Sequence, residues 1–131
     1  WVAKENAKIN EVEINFLLQD ILKTTTLPKI DVIISNPPYV LNMEKELMLA
    51  NVLDNEPHLA LFVPNNNPLL FYKKIADLAF KSLSKNGLLF FEINERFGKE
   101  TVAMLNAIGF VDIELKKDIN DKDRMIKATK N

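Results

Sequence analysis

The chain has no cysteine, one histidine and only three glycines among its 131 residues. Without cysteine it makes no disulfide, thiolate metal site or cysteine nucleophile, and a reducing, cytoplasmic setting is compatible with that. One histidine excludes a histidine-built metal cluster, so no metal site is expected. Gly87, Gly98 and Gly109 stand far apart and no Gly-x-Gly occurs. A loop that wraps a nucleotide in bare backbone needs closely spaced residues without Cβ, and this chain cannot supply one of its own. Charge of one sign is also missing: 17 Lys plus Arg face 18 Asp plus Glu, leaving a net charge of -1. That balance argues against a generally basic nucleic-acid binder. No apolar run approaches the roughly 20 residues of a membrane-spanning helix, and no charged-then-apolar leader opens the chain, so a soluble protein with no membrane partner is expected.

What is present is apolar material: 47% of the residues are hydrophobic, enough to give one domain a core. Residues 1–10 read as the last turns of a helix, and a chain that opens on Trp1 inside a helix reads as a fragment. Residues 12–17 alternate Val12, Ile14 and Phe16 with Glu13 and Asn15 and predict a short strand. Residues 22–29 are a polar linker closed by Pro28. Residues 30–35 (IDVIIS) are β-branched and nearly free of polarity, which suits a strand buried on both faces of a parallel sheet. Residues 36–68 are proline-bearing and weakly periodic, predicting an ordered functional loop with a short helix near residues 44–53.

An amphipathic helix is predicted over residues 69–83, burying Phe71, Ile75, Leu78, Ala79 and Leu83 and ended by Asn86-Gly87. Residues 88–93 (LLFFEI) predict a second buried strand, and residues 99–108 a second helix stopped by Gly109. Residues 111–115 and 124–129 predict two strands joined as an antiparallel hairpin at one edge. Strands alternating with helices give an α/β layered fold with a mostly parallel sheet.

Ligands of such sheets bind beyond the carboxyl ends of the strands. The residues directly after IDVIIS are Asn36-Pro37-Pro38-Tyr39. Two prolines fix φ twice, remove two backbone donors and push Asn36 out of the helical region, which makes a rigid extended corner. The corner offers the Asn36 carboxamide, unpaired backbone carbonyls and an aromatic ring. That set suits a planar amide or amino group, whose two N–H protons need two acceptors and whose flat face stacks on Tyr39. Such a nitrogen is a poor nucleophile because its lone pair is delocalised. Accepting both protons draws it toward a tetrahedral shape and stabilises the positive charge it develops while attacking a methyl group. Read as structure alone, the prolines end a strand in a buried turn.

Asn-Pro-Pro-Tyr after a buried strand resembles the motif of amino- and amide-group methyltransferases that use S-adenosylmethionine. The chain as a whole resembles the release-factor glutamine methyltransferases called HemK or PrmC. The resembling pieces are Gln19-Asp20-Ile21-Leu22, residues 31–39, Glu56-Pro57-x-Leu59-Ala60-Leu61, Phe71-Tyr72, residues 88–93 and Asp123-Arg124. The resemblance implies a partial Rossmann-like class I methyltransferase fold, a single truncated catalytic domain over residues 1–131, with S-adenosylmethionine as cofactor and peptide-chain release factors as protein substrate. It also implies that Asn36 faces both the cofactor and the target glutamine amide, while Pro37, Pro38 and Tyr39 complete the clamp. Asp20 then approaches the adenine amino group and Ile21 packs on the adenine ring. Spacing alone reads Asp20 as a solvated acid or a cap for the linker.

Other residues draw weaker readings. Glu92 lies in an apolar strand, where a carboxylate needs a partner. His58, Arg96 and the Lys116-Lys117 pair read as surface residues. Three departures from the family stand out: the glycine-rich cofactor loop and the acidic end of the second strand are absent, FVPNNNP replaces a glycine-bearing stretch, and Asn94 stands where glycine commonly follows Glu-Ile. The first strands and an N-terminal helical domain are therefore expected upstream, and a chain without them is expected to be inactive alone and to self-associate through an exposed strand edge. The competing readings are a nucleic-acid amino-group methyltransferase, acting on adenine N6 or guanine N2, and a non-catalytic α/β binding module.

Overall fold

The computed structural model describes residues 2–47 and 61–131. The element order is helix α1 (Val2–Ile9), strand β1 (Ile30–Ser35), strand β2 (Val40–Leu41), a 3-10 helix (Asn42–Leu47), strand β3 (Phe62–Val63), helix α2 (Leu70–Ser82), strand β4 (Leu83–Glu92), a second 3-10 helix (Glu95–Phe97), helix α3 (Gly98–Ile108), strand β5 (Phe110–Lys117) and strand β6 (Asp123–Lys130). Four strands form one sheet in the order β1-β4-β6-β5, and β2 and β3 form a separate parallel pair. The β1-β4 pair is parallel, while β6 runs antiparallel to both β4 and β5. The expected α/β architecture and C-terminal hairpin are both present.

The core lies where α2 and α3 meet one face of this sheet. Tyr72, Ile75, Ala76 and Ala79 of α2 and Leu105 of α3 close over Leu89, Phe91, Ile126 and Ala128. The Tyr72 ring meets Phe91 edge-on at 5.3 Å, the favoured arrangement of two aromatic quadrupoles. Gly109 ends α3 in the left-handed region at φ 113°, and its N–H reaches the carbonyls of Leu105 and Asn106.

Five sequence expectations are corrected. Residues 12–17 form no strand: the Val12 N–H is spent on the Ala7 carbonyl at the end of α1. Among the described residues no neighbouring strand pairs with this segment, so its alternating side chains stay largely exposed. Strand β1 is not buried on both faces: among the described residues β4 is its one neighbour, and Val32 and Ile34 on one face remain exposed. Helix α2 ends at Ser82 rather than at Asn86-Gly87, and Leu83 turns straight into β4. The Asn86-Gly87 pair instead makes an irregularity in that strand, where Ile30 lies opposite Leu83 but Val32 lies opposite Leu88. Asn86 takes φ 63°, and a Cβ on Gly87 would stand 2.8 Å from the Ser84 carbonyl oxygen. Finally, the helix expected near residues 44–53 is a 3-10 helix over Asn42–Leu47, with residues 48–60 outside the described part. Phe71 is only partly buried.

Candidate functional site

The parallel pairing of β1 and β4 creates the site. Ser35 lies opposite Phe91, so Asn36 and Glu92 follow side by side at the carboxyl ends of adjacent strands. The chain then turns through Pro37, which is buried, and Pro38 and Tyr39, which are half-buried. Asn36 stays exposed, and among the described residues its carboxamide takes no hydrogen bond. It lines a groove of about 430 Å³ together with Ile34, Phe90, Glu92, Met125 and Lys127.

Glu92, which the sequence left without a partner, has one: the Tyr39 hydroxyl donates to its Oε1 at 2.7 Å. Burial first, and then the hydrogen bond and negative charge of Glu92, push the Tyr39 hydroxyl up to about 12, while the Arg124 guanidinium draws it partly back. The ring of Tyr39 packs against the core cluster, so both ends of this side chain are fixed. Tyr72 is raised further, by burial above all. Arg124 is itself held by Asp118, whose Oδ2 accepts from Nε at 3.1 Å, and by the Ile93 carbonyl.

Behind the corner sits a second set of polar contacts. Glu44 accepts from the Leu41 N–H at 2.8 Å and from the Asn94 carboxamide at 3.1 Å, and its other oxygen accepts from Arg96 at 3.1 Å. Arg96, read from sequence as solvated, is thus paired although its side chain is 53% exposed. Lys116 pairs with Glu114 and Lys117 with Asp121, which keeps both lysines on the surface.

Asp20 and Ile21 are placed differently. The Asp20 carboxylate accepts from the Leu22 N–H at 3.0 Å, and Lys23 approaches it at 3.4 Å. It closes the turn that opens the linker and lines a separate depression with Gln19 and Thr24 to Thr26, apart from the groove of Asn36. Ile21 packs against the core cluster. Glu56, Pro57, His58, Leu59 and Ala60 lie outside the described residues. Asn36, Pro37, Pro38 and Tyr39 therefore come together with Glu92 and Arg124, while Asp20 and Ile21 do not join them. Among the described residues no group of three or more His, Asp or Glu is placed to hold a metal ion, and no helix is long and apolar enough to cross a membrane.

Sequence reasoning missed Glu44 and Asn94 as members of this neighbourhood. Glu44 carries no sequence signal. Asn94 carried one, a polar residue directly after a buried strand and in a position that commonly needs no side chain.

Known proteins resemble this chain in sequence and in fold. Residues 1–61 match the family model of the methyltransferase small domain. The release factor glutamine methyltransferase of Flavobacterium psychrophilum is 55% identical over 127 residues, covering 96% of this chain and 45% of that protein. The enzyme of the same name from Bacteroides thetaiotaomicron is 40% identical over 131 residues, covering 98% of this chain and 47% of that protein. Among solved structures, that of a protein described as a possible exported protein from Bordetella parapertussis superposes with a TM-score of 0.52 at 15% identity, over 86% of this chain and 42% of that one, a likeness of fold alone. The fold is a partial Rossmann-like class I methyltransferase fold. The chain spans somewhat less than half the length of the curated relatives it matches. By sequence, this chain is similar over nearly its whole length to release factor glutamine methyltransferases.

Proposed function

We propose that the whole protein methylates the N5 nitrogen of a glutamine side chain in peptide-chain release factors, and that this chain is the part of its catalytic domain that carries the acceptor corner. The observation that carries the reading is the Asn36-Pro37-Pro38-Tyr39 corner, exposed at Asn36 and anchored at Tyr39 on the carboxyl edge of a parallel strand pair. The Asn36 side-chain oxygen accepts one N–H of the glutamine amide, and a proline-flanked backbone carbonyl accepts the other. The Tyr39 ring covers the flat face. With both protons held, the nitrogen gains electron density and its developing positive charge is stabilised, so no strong base is needed. Apolar Ile34, Phe90 and Met125 along the groove give the stem of the acceptor an apolar lining.

S-adenosylmethionine supplies the methyl group when bound. The residues of this chain fit one end of it: the Asp20 carboxylate is half exposed and keeps acceptor capacity beyond its single bond to Leu22, which suits an exocyclic amino group. Ile21 offers an apolar edge beside it. The three glycines are committed elsewhere, Gly87 to the strand irregularity, Gly98 to the start of α3 where it packs against Asp123 and Leu115, and Gly109 to the end of that helix, so the methionine end needs residues other than these. A release factor substrate puts the protein in the cytoplasm. The open edge of β1 supports self-association when this chain is on its own.

The test is methyl transfer from labelled S-adenosylmethionine by the protein at its natural full length, with a release factor and DNA as rival acceptors. Label enters the release factor and falls by about a hundredfold or more in Asn36→Ala, the scale of losing an aligned acceptor. Label in DNA instead would move the same chemistry to a base amino group, and label in neither would sink the reading.

A further inference from the structure

We propose that Asn94 is a positioning residue for the acceptor corner: its carboxamide ties the backbone leaving Tyr39 to the end of β4, and Glu44 closes the tie. The inference rests on the reading of Asn36-Pro37-Pro38-Tyr39 as the acceptor site.

Asn94 follows the fully buried Ile93 and is itself 7% exposed. Each polar atom of its side chain is used. Nδ2 donates one proton to the Tyr39 carbonyl and the other to Glu44 Oε2, both at 3.1 Å. Oδ1 accepts from the Arg96 N–H at 3.0 Å and so caps the 3-10 helix that follows. The backbone N–H of the same residue donates to the Tyr72 hydroxyl at 3.3 Å, which fixes where the carboxamide starts from. Glu44 in turn accepts from the Leu41 N–H and from Arg96. One carboxamide therefore joins the strand end, the chain leaving the corner and the 3-10 helix beyond it.

The consequence for the corner follows from its rigidity. Pro37 and Pro38 have fixed φ, so Asn36 to Tyr39 moves as one piece. Its pose is decided where that piece is held, and Tyr39 is the place: its hydroxyl is pinned by Glu92 and its carbonyl by Asn94. Releasing the carbonyl leaves Tyr39 held by its side chain alone, through the packed ring and the hydroxyl, and frees the backbone leaving the corner to shift. The Asn36 acceptor, at the far end, then swings out of register with the nitrogen it serves. The resembling family commonly has glycine at this position, which offers no side chain for such a tie.

Three variants of the full-length protein test this. Asn94→Asp keeps the size and the acceptor for Arg96 but replaces both donors by a carboxylate facing Glu44. Asn94→Gly removes the side chain without adding charge. Asn94→Asp with Glu44→Gln reverses the pair, so that the new amide donates and the new carboxylate accepts. Two readouts are taken: kcat and KM for methyl transfer, and amide hydrogen exchange of residues 36–44 against that of α2. In both single variants, kcat falls roughly tenfold to a hundredfold with KM for S-adenosylmethionine within about threefold, as expected of a misaligned acceptor. Exchange of residues 36–44 rises about tenfold or more while α2 is unchanged. The reversed pair removes the repulsion between two carboxylates but gives the Tyr39 carbonyl no donor, so it recovers at most to the level of Asn94→Gly and not to wild type. Exchange and kcat both within twofold of wild type in Asn94→Asp and Asn94→Gly would overturn the proposal. So would faster exchange of α2 in step with the corner, or a double variant restored to wild-type kcat although the Tyr39 carbonyl has no donor. Should the wild-type protein methylate neither acceptor, the functional reading fails while exchange still decides the tie.

Discussion

The two faces of the four-stranded sheet are made by the same strands and nearly the same residue types, and they meet opposite surroundings. Toward α2 and α3, Leu89, Phe91, Ile126 and Ala128 are sealed from solvent. On the reverse, alternate residues of the same strands stay open, with Val32 45%, Ile34 79% and Met125 43% exposed. LLFFEI is apolar on both sides of the pleat, and IDVIIS places Val32 and Ile34 on the open side and only Ile33, between Asp31 and Ser35, toward the sealed one, so their own pattern does not tell which face is covered. The difference is made by the helices, which both return over one side. Burial of an apolar strand is a property of what lies on it, more than of the strand.

The largest test of that contrast is Phe91→Ala. It removes a ring packed edge-on against Tyr72 in the middle of the sealed face. A buried Phe truncated to Ala costs about 3–5 kcal/mol, transfer and cavity together. A urea melt followed by circular dichroism reads it as a lowered midpoint at unchanged slope. A loss below about 1 kcal/mol would mean that this face is no better packed than its reverse.

Tyr39 joins the two faces, its ring against the core cluster and its hydroxyl on Glu92 at the mouth of the open groove. Its hydroxyl is pushed from 10.0 to about 12, by burial first and Glu92 second. A raised value in the folded state favours the protonated form. The contribution to stability is therefore complete below pH 10 and is lost as pH climbs from there through about 12. Phenolate absorbance followed against pH shows no tyrosine ionising near 10 while the fold persists, since Tyr72 is raised as well. Glu92→Gln brings Tyr39 down yet leaves it above the ordinary value, because burial remains. A native tyrosine titrating at its ordinary value would show the corner to be open rather than anchored.

The same distinction explains what the sequence reveals. Asn36 to Tyr39 was legible because prolines act on their own backbone and need no neighbour to make a corner. Gly109 was legible for the same local reason. The helices were legible because their apolar stripes have a period, and they form within a residue or two of their expected bounds. Residues 12–17 misled because a strand is a pairing: alternation describes its faces, and only a second backbone makes it a strand. Asn86-Gly87 misled in the same way, a turn signal consumed inside β4 where Ile30 and Val32 skip register. Asp20 caps a turn, the local role that spacing alone reads for it, and its approach to an adenine amino group was implied by resemblance and not by spacing. Glu92 and Asn94 stood out as polar residues at a buried strand, but the partners they meet, and Glu44 altogether, were beyond reach because these contacts span 50 or more residues in sequence. Each is a long-range contact set by the parallel register of β1 on β4 and by the return of the loop.

The smallest expected effect belongs to the open face. Ile34→Ala in this chain removes a side chain that is mostly in solvent already, and surface changes of that kind fall within about 0.5 kcal/mol, with the β-propensity of a branched residue raising the cost to at most about 1. The ratio between Phe91→Ala and Ile34→Ala in one series of melts is thus the cleanest measure of how differently the two faces are used. Repeating Ile34→Ala in the full-length protein sharpens it further. The relatives are about twice as long as this chain, and if their additional half covers the reverse of the sheet, the same substitution there costs about 2 kcal/mol or more, the range of a buried aliphatic truncation. A cost that stays below about 1 kcal/mol at full length would mean that Ile34 remains in solvent and that the groove beside Asn36 is open along its whole apolar wall.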